Sequence, residues 1–136
     1  MSFLPRKALL AIAAVVDVAL NARERPVSAR QLAARHNLPA RHLEPVLQAL
    51  VHEGIFYGVR GPRGGYELAR ERKRISVADI LRAAGSVNEE DDAPGSRIIE
   101  RAVLPALAEA ERAFVIAPSR LSVDDISRRA EALPRG

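Results

Sequence analysis

Three short stretches of this sequence share one pattern: "VSARQL" (Val27 to Leu32), "ISVADI" (Ile75 to Ile80) and "LSVDDI" (Leu121 to Ile126). Each sets out an apolar residue, a serine, two spacers, a Gln or Asp, and a second apolar residue. The serine oxygen can accept from the backbone N–H groups that a helix start leaves unpaired. The Gln or Asp reaches back to the serine's own N–H, and the apolar pair packs across the turn. Three helices are therefore expected to begin at Ser28, Ser76 and Ser122. Everything between the motifs differs, so the recurrence is one of capping and not an internal repeat.

These starts divide the rest of the chain. Ahead of the first lies "RKALLAIAAVVDVALNA", apolar enough for a buried helix that ends near Asn21, with "RERP" as its exit turn. After "SARQLAARH", Pro39 suits the first turn of another helix, and Gly54 is its natural stop. On a helical wheel Leu43, Val46, Leu47, Leu50 and Val51 fall on one side, with Arg41, Pro45, Gln48 and His52 on the other. Two helices joined by a short turn, the second with a polar outer face, make a helix-turn-helix. Pro45 interrupts the hydrogen-bond ladder of that second helix, so a kink is expected there.

Beyond Gly54, "IFYGVR" and "YELA" are short and rich in β-branched and aromatic residues, which predicts a two-stranded hairpin joined by "GPRGG". Gly61, Gly64 and Gly65 let its tip turn and let backbone approach another surface, and Arg60 and Arg63 flank it as cations. The stretch is no phosphate loop of a nucleotide enzyme, because it lacks the Gly-Lys-Ser/Thr ending and a following helix.

Charge points the same way. Residues 1–85 carry 14 Lys or Arg against 7 Asp or Glu, whereas residues 86–136 carry 7 against 10. One half is built to meet a polyanion and the other is not. The chain of 136 residues suits one modest domain with a short appendage. It contains no cysteine, which removes disulfides, thiolate catalysis and sulfur-ligated metal sites. No apolar run reaches the ~18 residues of a membrane span, so a cytoplasmic protein is expected. No nucleophile paired with a base and no cofactor loop stands out, so an enzyme is not expected. His36, His42 and His52 have no recognised ligand spacing and read as surface or groove residues.

Together, "ALLAIAAVVDVAL", "VSARQLAARHNLPARHLEPVLQALVHEGI", "VRGPRGGYELAR" and "ISVADILRAAG" resemble a bacterial family of winged helix-turn-helix transcription regulators typified by IscR, NsrR and CymR. The resemblance implies a mainly α fold with a β-hairpin wing, acting as a homodimer on double-stranded DNA with a palindromic operator. It places Arg41, His42 and Glu44 against base edges and Arg60 where the wing enters the minor groove. Gln48 joins the base readers as an adenine partner, with Arg41 suited to guanine and Glu44 to cytosine. Arg6, Lys7, Ser28, Arg30 and Arg35, with Arg63 of the wing, are the expected phosphate contacts.

The expected division is a DNA-binding domain over 1–85, an acidic linker over 86–97, and a dimerisation helix with a short terminal helix over 98–136. Ile99, Val103, Leu107, Ala110 and Phe114 form the apolar stripe of the dimer helix. Many members of the family hold an iron-sulfur cluster on three cysteines ahead of that helix; this chain has "GSVNEEDDAPGSRIIE" there and is expected to carry no cofactor and no metal. Glu89 to Asp92 read as a solvated linker. A repressor is the expected function, under an unidentified effector or partner protein. The competing reading is a winged adaptor that binds protein and no specific operator.

Overall fold

The computed structural model describes residues 4–87, 101–102, 106 and 118–134. Five α-helices are described: α1 (Arg6–Asn21), α2 (Ala29–His36), α3 (Ala40–His52), α4 (Val77–Gly85) and α5 (Val123–Glu131). Strands β1 (Phe56–Val59) and β2 (Gly65–Leu68) follow α3, and a 3-10 turn, Arg72–Arg74, leads into α4.

All three serine starts form as full capping boxes. Ser28, Ser76 and Ser122 accept from the backbone N–H of Gln31, Asp79 and Asp125, whose side chains accept in return from the serine N–H groups. Two of these caps also pair with each other. Val77 N–H donates to the Leu121 carbonyl and Val123 N–H to the Ile75 carbonyl, each at 2.8 Å, so Ser76 and Ser122 face one another as an antiparallel bridge. Helices α4 and α5 thus spring from one shared pair of extended residues.

The core is aliphatic but for Phe56. Small residues on α1, Ala8, Ala11 and Ala14, are buried with Val15 and Val18, and Leu32, Leu43, Leu47, Leu50, Ile55, Phe56, Ile75 and Ile80 close around them. Val123 at the start of α5 belongs to the same core. Arg72 reinforces that attachment from the 3-10 turn, with Nε 3.1 Å from Asp124 and Nη1 3.2 Å from Glu131. The terminal helix therefore packs on the winged domain. The proposed dimer residues Ile99, Val103, Leu107, Ala110 and Phe114, and the acidic run Glu89 to Asp92, lie outside the described residues.

Helix α3 runs unbroken through Pro45, with Pro39 as its N-cap. An interior proline costs about 3 kcal/mol. Burial of Leu43, Val46, Leu47 and Leu50, at about 1.5 to 3 kcal/mol each, outweighs it. Pro45 itself is exposed.

Candidate nucleic-acid interface

The described surface carries two features that an acidic, double-stranded partner would meet: the outer face of α3 and the hairpin tip. Both are held from within by the core. On α3, Arg41, His42, Glu44, Gln48 and His52 are all exposed, while the opposite side is buried. A helix about 10 to 12 Å across fits the major groove of B-form DNA.

The hairpin pairs Phe56 with Leu68, Tyr57 with Glu67, Gly58 with Tyr66 and Val59 with Gly65. Phe56 turns inward, its ring centroid 5.8 Å from that of Tyr66, and Tyr57 turns outward with its hydroxyl on the Glu67 carboxylate. That hydrogen bond holds the Tyr57 hydroxyl above its ordinary pKa. The tip closes with Gly64 N–H donating to the Gly61 carbonyl at 2.9 Å. Arg60, Gly61 and Arg63 are exposed at this tip.

Gly64 and Gly65 have an internal purpose. A Cβ on Gly64 would overlap the Val59 carbonyl, and one on Gly65 would overlap the Val27 carbonyl and sit 2.8 Å from Ser28 N. Val27 crosses β2 here, with its N–H on the Tyr66 carbonyl at 3.0 Å and its carbonyl accepting from Tyr66 N–H at 2.7 Å. Gly64 thus lets the hairpin close on itself, and Gly65 lets in the residue before the cap of α2. The wing is seated on the helix-turn-helix.

A second lock, at the other end of α2, has Asp17 at its centre. This carboxylate is only 5% exposed, on the inner side of α1. Arg35 donates to it through Nε at 2.8 Å and Nη2 at 2.7 Å, and His36 Nε2 lies 2.8 Å from Oδ2. An ionised carboxylate only accepts, so this His36 nitrogen carries the proton. Asn21 Nδ2 completes the shell at 3.1 Å. Burial opposes ionisation of Asp17, but the bonds from Arg35 and His36, the Arg35 charge and Asn21 together hold its pKa below the ordinary value. Arg35 in turn is held above its ordinary pKa by that hydrogen bond.

Of the six expected phosphate contacts, Arg6, Arg30 and Arg63 are exposed. The other three have partners within the chain: Lys7 Nζ donates to the Val87 carbonyl at 2.8 Å, Ser28 Oγ caps α2, and Arg35 holds Asp17. His36 is likewise an internal partner of Asp17. The signal for this network was available in "AAVVDVALN", since one acid inside an apolar helix requires partners. A further basic pair, Lys73 and Arg74, is exposed just after the wing. Among the described residues no group of three or more His, Cys, Asp or Glu is placed to hold a metal, and no helix is long and apolar enough to cross a membrane.

A family model described as Rrf2, an iron-dependent transcriptional regulator, matches residues 4–129. The chain is 31% identical over 140 residues to the HTH-type transcriptional regulator IscR of Xenorhabdus nematophila, across 96% of this chain and 82% of that protein. A relative from Aquifex aeolicus is 40% identical over 75 residues, which is 55% of this chain and 51% of its own length. Among solved structures, IscR of T. potens superposes with a TM-score of 0.73 at 25% identity, covering 99% of this chain and 94% of that one. CymR of B. subtilis gives a TM-score of 0.70 at 22% identity, over 95% and 98% of the two chains, a likeness of fold.

Iron in the family's description raises the question of ligands. Cysteine is absent from the whole chain, and thiolates are the ligands of iron-sulfur clusters. The residues present do not fit such a cluster.

Proposed function

The chain belongs to the Rrf2 family of transcriptional regulators, and from that premise we propose that it is a homodimeric repressor that reads a palindromic operator without a cluster. Helix α3 enters the major groove, with Arg41 on guanine, Glu44 on cytosine, Gln48 on adenine and His42 at the edge of the contact. Arg60 enters the minor groove from the wing. Arg6, Arg30 and Arg63 hold phosphates, and they are favoured by their exposure. Lys7 and Arg35 reach phosphate only by exchanging their present partners, and Ser28 contributes through the start of α2. Residues 1–85 form the DNA-binding unit, 86–97 the linker, and the stripe Ile99, Val103, Leu107, Ala110 and Phe114 the subunit contact.

The observation that carries this reading is the seat of Gly65 on Val27, which ties the wing to the helix-turn-helix so that both meet one duplex as a unit. Titration of the purified protein against a selected duplex and its scrambled counterpart, at several salt concentrations, tests it. A strong preference for the selected duplex is expected; equal binding to both would favour an adaptor.

A further inference from the structure

Pro45 is the one apolar side chain in an otherwise polar stripe. Arg41, Pro45, Gln48 and His52 follow at intervals of four, three and four residues, so they line one side of α3, and all four are exposed. The buried side holds Leu43, Val46, Leu47 and Leu50. The ring of Pro45 therefore contributes nothing to the core, while its missing N–H removes a bond to the Arg41 carbonyl. Within the described structure the interior proline is a cost with no return.

Resting on the proposed binding mode, we infer that Pro45 reads the 5-methyl group of a thymine in the major groove. The neighbouring side chains account for the other base edges. Arg41 supplies donors that match guanine, Gln48 supplies the donor and acceptor that match adenine, and Glu44 accepts from cytosine. The thymine methyl is the major-groove feature that none of them matches, and it is read by apolar contact. A proline ring has no donor to leave unsatisfied against that methyl and no rotamer freedom to lose in the contact. Being one turn from Arg41 and less than one from Gln48, it meets a base pair next to those they read.

Deoxyuridine lacks only this methyl, so it isolates the contact. In a duplex carrying the protein's selected site, each thymine is replaced in turn by deoxyuridine, and each cytosine by 5-methylcytosine. The parent chain and Pro45→Ala are titrated against every duplex. One thymine position per half-site should weaken the parent about fourfold when demethylated, which corresponds to about 0.8 kcal/mol for one buried methyl. Pro45→Ala, whose short side chain withdraws from the methyl, should bind the unmodified site more weakly and be nearly indifferent to uridine there. Its thermal midpoint should equal or exceed the parent's, which separates a lost contact from a lost fold. The inference is overturned if no uridine position affects the parent, or if Pro45→Ala remains as sensitive as the parent. It is also overturned if only 5-methylcytosine changes affinity. Failure of the parent to prefer any duplex would instead remove the binding mode on which the inference rests.

Discussion

Gly65 lies beneath the Val27 carbonyl so closely that no side chain fits between them. The wing and the first residue of the helix-turn-helix are thereby joined backbone to backbone. Gly65→Ala forces Val27, Ser28 or the β2 backbone to move, and backbone yields poorly. It should cost at least about 2 kcal/mol in urea unfolding and weaken binding to every duplex. Gly61→Ala is the control. Nothing lies near its added carbon, but φ is +113°, so a loss of about 1 kcal/mol from strain is expected. Equal stability of Gly65→Ala and the parent would contradict the seat.

The Asp17 cluster makes stability depend on acid. Because its pKa is lowered in the folded chain, Asp17 contributes fully above the ordinary carboxylate value of about 3.9. That contribution is lost as pH falls through the lower folded value. Arg35→Ala removes the two-pronged bond and raises the carboxyl toward and beyond its ordinary value, so acid unfolding should begin at higher pH. Breaking a buried pair costs about 3 to 5 kcal/mol. The Arg35 side chain is 39% exposed, and solvent screening reduces the expected loss to about 2 kcal/mol at neutral pH. Circular dichroism across an acid titration reads both effects, and superimposable curves would remove Asp17 from the account.

The tip and α3 should fail differently. Arg63→Ala should weaken all duplexes alike and reduce the salt slope by about one unit per subunit. Arg41→Ala should cost about 1 to 3 kcal/mol on the selected site and spare nonspecific affinity. Arg60→Ala should fall between them, since a guanidinium in the minor groove senses width and A·T content. Titrations in which all three variants bind like the parent would displace the proposed interface.

Anaerobic reconstitution with iron and sulfide should leave the protein without cluster absorbance or stoichiometric iron, because no thiolate is available. A protein-bound cluster in absorption spectra and iron analysis would require ligands other than cysteine.

What the sequence made legible was local. The capping boxes at Ser28, Ser76 and Ser122 close within three residues, and all three formed where expected. The amphipathic pattern of α3 and the glycine-bounded hairpin were equally readable, since each depends on near neighbours. Contacts between distant segments were not. Nothing local to Ser76 says that Ser122 lies across from it, and Arg35 looks like a surface cation until Asp17 is known to sit against α2. The wing glycines announced a close approach without naming Val27 as the object of Gly65. Pro39 stands at the cap of α3 and not within its first turn, a one-residue difference that fixed φ alone does not decide.

In the proposed function, two copies of this chain read a palindrome through α3. Selection of bound duplexes from random-sequence DNA by the purified protein tests it most directly. An inverted-repeat consensus is expected, its half-sites centred about one helical turn apart or a multiple of it, with two chains bound per duplex. No enrichment, or an asymmetric motif bound by a single chain, would contradict it.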